Sequence, residues 1–528
     1  MVMSTDKSPN LTTHKRIARS AGLIGLGTLC SRILGFIRDV IIARLFGVYV
    51  VAQAFVIAFR IPNLFRDLVG EGATNAAFVP VFSEYTVKHT RKEFWELVHV
   101  VLNLLLVILM SLVLLGILFS PVIVRAIAPG FMASPEKLET TIRLNRLIFP
   151  YILLVSLAAY SAGILNSLKH FTVPAFAPCF LNISIIVFVL IFSEGISGLA
   201  LGVLVGGVLQ LVLQIPVLYK KGFRLKLSRR LRHPAATLMG KLMLPRLLSS
   251  CIYQLNNFVD SIFGSLSWIV GEGGVAVLYF SYRLIQFPLG VFSHALSQAI
   301  LPTLSTQALE DTSASLKTTL SWGLRSTFFV MLPASLGLMT LANPIISTLF
   351  GGGRFDPASV SITAEVLLFY SIGLFAYGST RILQNCFFAL KDTRTPAKVA
   401  GIALVVNVVL NALLMFPLKI AGLALATSLS GINTFFILFW LLRKKLGGLG
   451  GRKIFLSFLR ILLASFCMGA VCYFVSKGAF LGDSLLNKIM NLGLSLISGF
   501  ISYIVFCFLF RVSEMKQLWQ WLRAKLTL

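Results

Sequence analysis

Apolar runs of roughly twenty residues recur from one end of this chain to the other, the signature of a helical protein that crosses a bilayer many times. A membrane β-barrel would show short alternating segments instead. The hydropathy pattern predicts about fourteen membrane helices, near 20–46, 51–68, 96–127, 145–168, 174–193, 196–219, 243–267, 273–306, 318–342, 360–389, 396–415, 420–442, 454–476 and 487–510. Charged residues make up only 12% of the 528, against about 25% in ordinary chains, so the chain reads as an all-α polytopic membrane protein. The formal net charge of +28 would suggest nucleic acid in a soluble chain. Here most of it lies in short loops, where it reports topology, and no nucleic-acid partner is expected.

Those basic loops follow helices 2 (Lys88, Arg91, Lys92), 6 (Lys220 to Lys241), 10 (Lys391, Arg394, Lys398) and 12 (Arg443 to Lys453), and both tails are basic as well. All fall on one side, so both termini are expected in the cytoplasm. The first twenty residues are polar and basic with no small-residue cleavage site after the first apolar run, which reads as a retained signal anchor. The seven cysteines sit in apolar runs without a CxxC pair and read as small core residues.

A repeat runs through the chain. Cys30 and Asp39 match Cys251 and Asp260 at an offset of 221, and Phe59-Arg60 matches Tyr282-Arg283 at 223. Pro80 matches Pro302, and Leu168-Lys169 with Pro174-Ala175 matches Leu390-Lys391 with Pro396-Ala397, at 222. Six helices per repeat is an even number, so the expected fold is two six-helix lobes in parallel pseudo-repeat plus two extra C-terminal helices. The expected layout is a cytoplasmic tail (1–19), an N-lobe (20–222), a basic cytoplasmic linker (223–242), a C-lobe (243–445), helices 13 and 14 (446–512) and a cytoplasmic tail (513–528).

The stretch from Ser31 to Gly72 breaks the rule that charge stays in loops. It holds Arg32, Arg38, Asp39, Arg44, Arg60, Arg66 and Asp67 within two apolar runs. Each cation at the centre of a membrane helix costs about 2.5–3.5 kcal/mol on insertion scales. A chain that keeps several there is expected to line a wet cavity or hold an anion. Arginine suits an anion such as a phosphate, because its planar fork donates bidentately and never loses its charge. The competing reading is that these arginines reach the interface or pair structurally with Asp39 and Asp67.

Ser31-Arg32-Ile33-Leu34-Gly35-Phe36 with Arg38-Asp39, then Pro62-Asn63-Leu64-Phe65-Arg66, Glu71-Gly72-Ala73 and Ala77-Phe78-Val79-Pro80-Val81-Phe82, closely resemble the MurJ (MviN) family. So do Phe149-Pro150-Tyr151, Pro174-Ala175-Phe176-Ala177-Pro178 with Leu181-Asn182, Gly206-Gly207 with Gln210, and Arg283-Leu284 with Phe287-Pro288. The resemblance runs from about Gly25 to Lys445. It implies the multidrug/oligosaccharidyl-lipid/polysaccharide exporter fold and a lipid II flippase, which moves an undecaprenyl-diphosphate-linked disaccharide peptide outward by alternating access. The location implied is the bacterial cytoplasmic membrane. The implied partners are lipid II, membrane lipids and the cell-wall synthesis machinery. On this resemblance Arg32, Arg38, Arg66 and Arg283 form the diphosphate clamp, with Asp39, Arg60, Asn63 and Glu71 in support, and helices 13 and 14 form a groove for the lipid tail. Acidic residues of some relatives are Gln53 and Gln286 here.

A second constellation lies in the C-terminal half. Asp260, Asn407, Asn411 and Thr427 place four oxygen donors on three expected helices, and Asn407 and Asn411 share a face. The set suits a hard monovalent cation, and some members of the resembled family bind sodium at similar positions, one of them acidic where this chain has Asn411. Interhelical hydrogen bonding is the alternative. No other cofactor is expected; energy is expected from sodium or the membrane potential, since no Walker motif is present. Two further classes were weighed. An exporter of drugs or of another prenyl-diphosphate-linked glycan would share the fold, though drugs need no such set of arginines. A membrane enzyme would need clustered carboxylates or histidines, and the six histidines are scattered.

Overall fold

The computed structural model describes residues 9–67, 77–226, 233–310, 313–478 and 484–526. Every element of regular structure among them is helical. Glu71 and the linker residues Arg229, Arg230 and Arg232 lie outside the described residues.

The first half runs α1 (Pro9–Phe46), α2 (Val50–Phe65), α3 (Val79–Lys88), α4 (Arg91–Leu118), α5 (Ser120–Ile127), α6 (Pro135–Ile148), α7 (Tyr151–Ser167), α8 (Thr172–Ile191), α9 (Ser197–Val212) and α10 (Ile215–Lys220). The second runs α11 (Pro234–Ser265), α12 (Ser267–Val270), α13 (Gly274–Pro288), α14 (His294–Gln307), α15 (Ala314–Thr340), α16 (Ala342–Leu349), α17 (Pro357–Ile372), α18 (Leu374–Ala389) and α19 (Arg394–Leu446). α20 (Gly451–Gly478), α21 (Leu485–Leu509) and α22 (Ser513–Leu526) complete it.

The repeat is written into the breaks between helices. α6 and α17 both open on a proline, Pro135 and Pro357, and α8 and α19 open at Thr172 and Arg394, each pair 222 apart. The expected span 96–127 is broken at Phe119 and the span 318–342 at Leu341, again 222 apart, and α15 and α16 meet at 73°. α7 and α18 end in the same turn. Leu168 and Leu390 donate four residues back, and Lys169 and Lys391 follow in the left-handed region at φ 59° and 58°. His170 and Asp392 then donate to the carbonyls of Leu165 and Phe387, the two-bond closure that satisfies a helix's last acceptors.

Among the described residues nine helices are long and apolar enough to cross a membrane, or ten if the bent α15–α16 pair is one span. That is below the expected count of about fourteen. Part of the difference is bookkeeping of continuous elements: α19 holds two of the expected spans, joined through non-helical backbone at Lys419. α2, with 16 residues, is short. Three segments expected to be tails or linker are helical instead. α1 begins at Pro9, α11 at Pro234 and α22 at Ser513, because these basic stretches carry good helix formers and polarity does not oppose a helix.

The chain divides into two compact units, one of Met1–Ile42 with Val50–Gln254, the other of Ala43–Tyr49 with Leu255–Leu528. In the first, α8 packs on α9, α2 on α6, and α7 on α9. Its core under α3 and α4 is aromatic, with Phe78, Phe82, Phe94 and Tyr160 in edge-to-face contact. In the second, α18 packs on α15, α14 and α19, and the two additional helices α20 and α21 pack on each other, α20 also along α15.

The last turn of α1 joins the second unit through specific bonds. Arg44 donates to the carbonyls of Thr348 (3.0 Å) and Leu349 (3.2 Å) at the end of α16, where a cation meets the negative end of the helix dipole. The Arg354 amide donates to the Arg44 carbonyl at 2.9 Å, and the Tyr49 hydroxyl to Asp356 at 2.6 Å. Gly353 is left-handed (φ 60°), and a Cβ there would sit 2.3 Å from the Arg44 carbonyl oxygen.

Candidate functional site

In the first unit the site grows from α1. Arg38 is 4% exposed and Asp39 fully buried, so the charge is inside the protein. Neighbours on a helix point about 100° apart, so the pair closes only where the guanidinium folds back along the helix. It is held there on three sides. Nη2 and Nε donate to Asp39 Oδ1 at 2.7 and 3.0 Å, Nη1 donates to Asn182 Oδ1 of α8 at 3.0 Å, and the guanidinium carbon lies 6.0 Å from the centre of the Phe59 ring. Asn182 is fixed in turn by donating to the Ser31 carbonyl at 3.1 Å. Asp39 thus holds the neighbouring guanidinium through one oxygen. Arg32, six residues earlier, is exposed.

α2 carries the second set. Pro62 sits inside it, and the two residues after Phe65 continue as wider π-type turn. There Arg66 meets Asp67 at 3.1 Å, and Gln254 of α11 donates to the other Asp67 oxygen at 3.2 Å. Both side chains are more than a third exposed, which leaves Arg66 accessible beside its partner. Arg60 and Asn63 are half-buried on the same helix, and Asn63 Oδ1 accepts no hydrogen bond among the described residues. Gln53 is 2% exposed. A neutral amide at that depth avoids the cost of a buried carboxylate.

In the second unit Arg283 is half-buried on α13 and donates to Gln286 at 3.4 Å, so the glutamine serves as the arginine's neutral partner. The four candidate cation ligands come together. Thr427 Oγ1 lies 3.5 Å from Asp260 Oδ1 and 3.2 Å from Asn407 Nδ2, and Asn411 Nδ2 donates to Asn407 Oδ1 at 3.1 Å. The break at Lys419 turns α19 back on itself, which brings Thr427 beside Asn407 although they are twenty residues apart. Asn411 is fully buried, and its Oδ1 has no hydrogen-bond partner among the described residues. A buried, unsatisfied carbonyl oxygen in a cluster that also holds a carboxylate fits a hard cation.

Sequence reasoning quoted Asn182 only as part of a motif and missed its contact with Arg38. Its signal was an amide inside the expected span 174–193, which in a membrane helix asks for a partner.

Residues 42–490 match the sequence profile of the family described as Lipid II flippase MurJ. The chain belongs to the MurJ family. A relative in Buchnera aphidicola, named probable lipid II flippase MurJ, is 35% identical over 93% of this chain and 96% of its own. The MurJ relative of Vibrio cholerae is 34% identical over 81% of this chain and 83% of its own. Among solved structures, one of lipid II flippase MurJ in an inward closed conformation superposes with a TM-score of 0.77 at 26% identity, covering 93% of this chain and 99% of that one. An inward-facing multidrug resistance transporter of the MATE family reaches 0.67 at 16% identity over 80% of this chain and 96% of its own, a likeness of fold alone.

Proposed function

We propose that this protein is a lipid II flippase of the bacterial inner membrane, carrying the undecaprenyl-diphosphate-linked disaccharide peptide from the inner to the outer leaflet by alternating access for cell-wall synthesis. Membership of the MurJ family over most of the chain carries this reading. The chemistry agrees with it. Arg38, with Arg32 and Arg66, offers guanidinium donors from the first unit and Arg283 from the second. A diphosphate carried through a membrane needs such fixed cations. Asp39 and Asn182 hold Arg38 in place, so its fork is set before the substrate arrives and less freedom is lost on binding. In this reading both termini lie in the cytoplasm, which the one-sided run of basic loops supports.

Asp260, Asn407, Asn411 and Thr427 would hold a sodium ion, which when bound supplies positive charge that offsets Asp260. Sodium or the membrane potential resets the carrier.

The experiment replaces a strain's own lipid II flippase with this chain and reads lipid II accessible at the outer leaflet, with protein abundance checked. Restored accessibility is expected. Protein that is inserted but moves no lipid II overturns the reading and puts another prenyl-linked glycan first.

A further inference from the structure

α18 carries a polar stripe that the repeat shows to be unnecessary for the fold. Tyr377, Thr380, Arg381, Gln384 and Asn385 recur at three- and four-residue steps and so share one face. Subtracting the repeat offset of 222 places Val155, Ala158, Ala159, Ala162 and Gly163 at the same stations of α7, all apolar. The same turn closes both helices, so the register is fixed. One copy of the helix packs with small apolar residues where the other spends an arginine, two amides and two hydroxyls.

The polar face meets α14. Arg381, half-buried, points Nη1 at His294 Nδ1 across 3.4 Å, and Asn385 donates to the Ser297 carbonyl at 2.7 Å. Arg381 pairs with no carboxylate among the described residues. Thr380 Oγ1 beside it is buried and takes part in no hydrogen bond among them. A guanidinium inside an apolar span that pairs with no carboxylate among the described residues is set up to receive an anion from outside the chain.

We propose that Arg381, with Thr380 and His294, is a subsite for a carboxylate of the peptide carried by the substrate. The proposal rests on the flippase reading above. A single cation among neutral donors matches one carboxylate, taken bidentately by the guanidinium fork; the multiply charged diphosphate calls for the several arginines already described.

The test uses the purified full-length protein in nanodiscs. Binding is measured for three lipids: lipid II, lipid II with its peptide carboxylates amidated, and the peptide-free disaccharide diphosphate lipid. Wild type is expected to bind intact lipid II about 10-fold tighter than either of the others, roughly 1.4 kcal/mol. Arg381→Gln should bind all three alike, at the affinity wild type shows for the peptide-free lipid. Arg381→Lys should retain part of the preference. Retained affinity for the peptide-free lipid also reports that the variant is folded. An Arg381→Gln protein that keeps the full preference, or that weakens all three lipids equally, overturns the subsite. Wild type that binds intact and amidated lipid alike overturns it too. Wild type that binds none of the three overturns the flippase reading, and the subsite falls with it.

Discussion

Asp39 and Asp260 occupy the same station of the repeated fold and have opposite surroundings. In the first unit the residue before the aspartate is Arg38, whose guanidinium donates to Asp39 and to Asn182. In the second the residue before it is Val259, and Thr427 links the aspartate to a chain of uncharged groups, Asn407 and then Asn411. The first unit has Ile185, Val189 and Val205 where the second has those three polar residues. One aspartate therefore holds a fixed arginine, and the other accepts from a hydroxyl. A duplicated scaffold allows this, because each copy needs only one of its faces for packing.

The sharpest way to break the comparison is to remove the partner in the first unit. Arg38→Ala leaves Asp39 charged and fully buried, which costs about 3–5 kcal/mol, so abundance and outward lipid II should both fall. Adding Asp39→Ala should restore abundance but not transport. If the double variant moves lipid II, Arg38 acts only as a counter-ion.

Asp260→Asn should behave differently, since the amide keeps the side chain's shape and removes only its charge. Its fold should survive, but the gain in Tm expected of wild type when sodium replaces potassium should vanish. At one hundred times Kd that gain corresponds to about 2.7 kcal/mol. Equal Tm values for wild type in the two salts would remove the cation from the account. Asn411→Asp adds a second carboxylate and should tighten sodium by about tenfold, roughly 1.4 kcal/mol, read from the sodium concentration at half the Tm shift.

The smallest effect concerns the matching turns after α7 and α18. In the second, the Lys445 ammonium at 2.7 Å and the Thr395 amide hold the Asp392 carboxyl down at about 2. In the first the station is His170, pushed down by burial. A depressed carboxyl stabilises fully above the usual value near 4 and loses that contribution as pH falls toward 2. Asp392→Asn should therefore lower Tm by a few degrees at pH 7, with the difference from wild type shrinking below pH 4. A constant difference down to pH 2 would show that the carboxyl is not depressed.

Much of this was legible in the sequence because membrane helices announce themselves by length and the repeat by its offset. The arginines were legible as exceptions, since each violates the apolar pattern around it. The breaks at Phe119 and Leu341 were not, because the apolar runs pass straight through them. Hydropathy is blind to direction, although Pro121 and Pro344 just beyond each break are the local signal. Partners were the least legible part. Asn182 lies 144 residues from Arg38, and only the packing of α8 on α1 joins them. Arg381 was passed over inside a single long span, where one arginine among apolar residues reads as an interruption rather than as half of a pair with His294.

The left-handed turns at Lys169 and Lys391 bear on handling the protein outside a bilayer. Both lysines are exposed, and each holds a backbone shape that glycine adopts more cheaply by about 1 kcal/mol. Neither side chain makes a hydrogen bond or ion pair among the described residues. Exchanging both for glycine would relax two helix ends at once, lengthening the lifetime of detergent-extracted material while leaving every residue assigned to substrate or sodium in place.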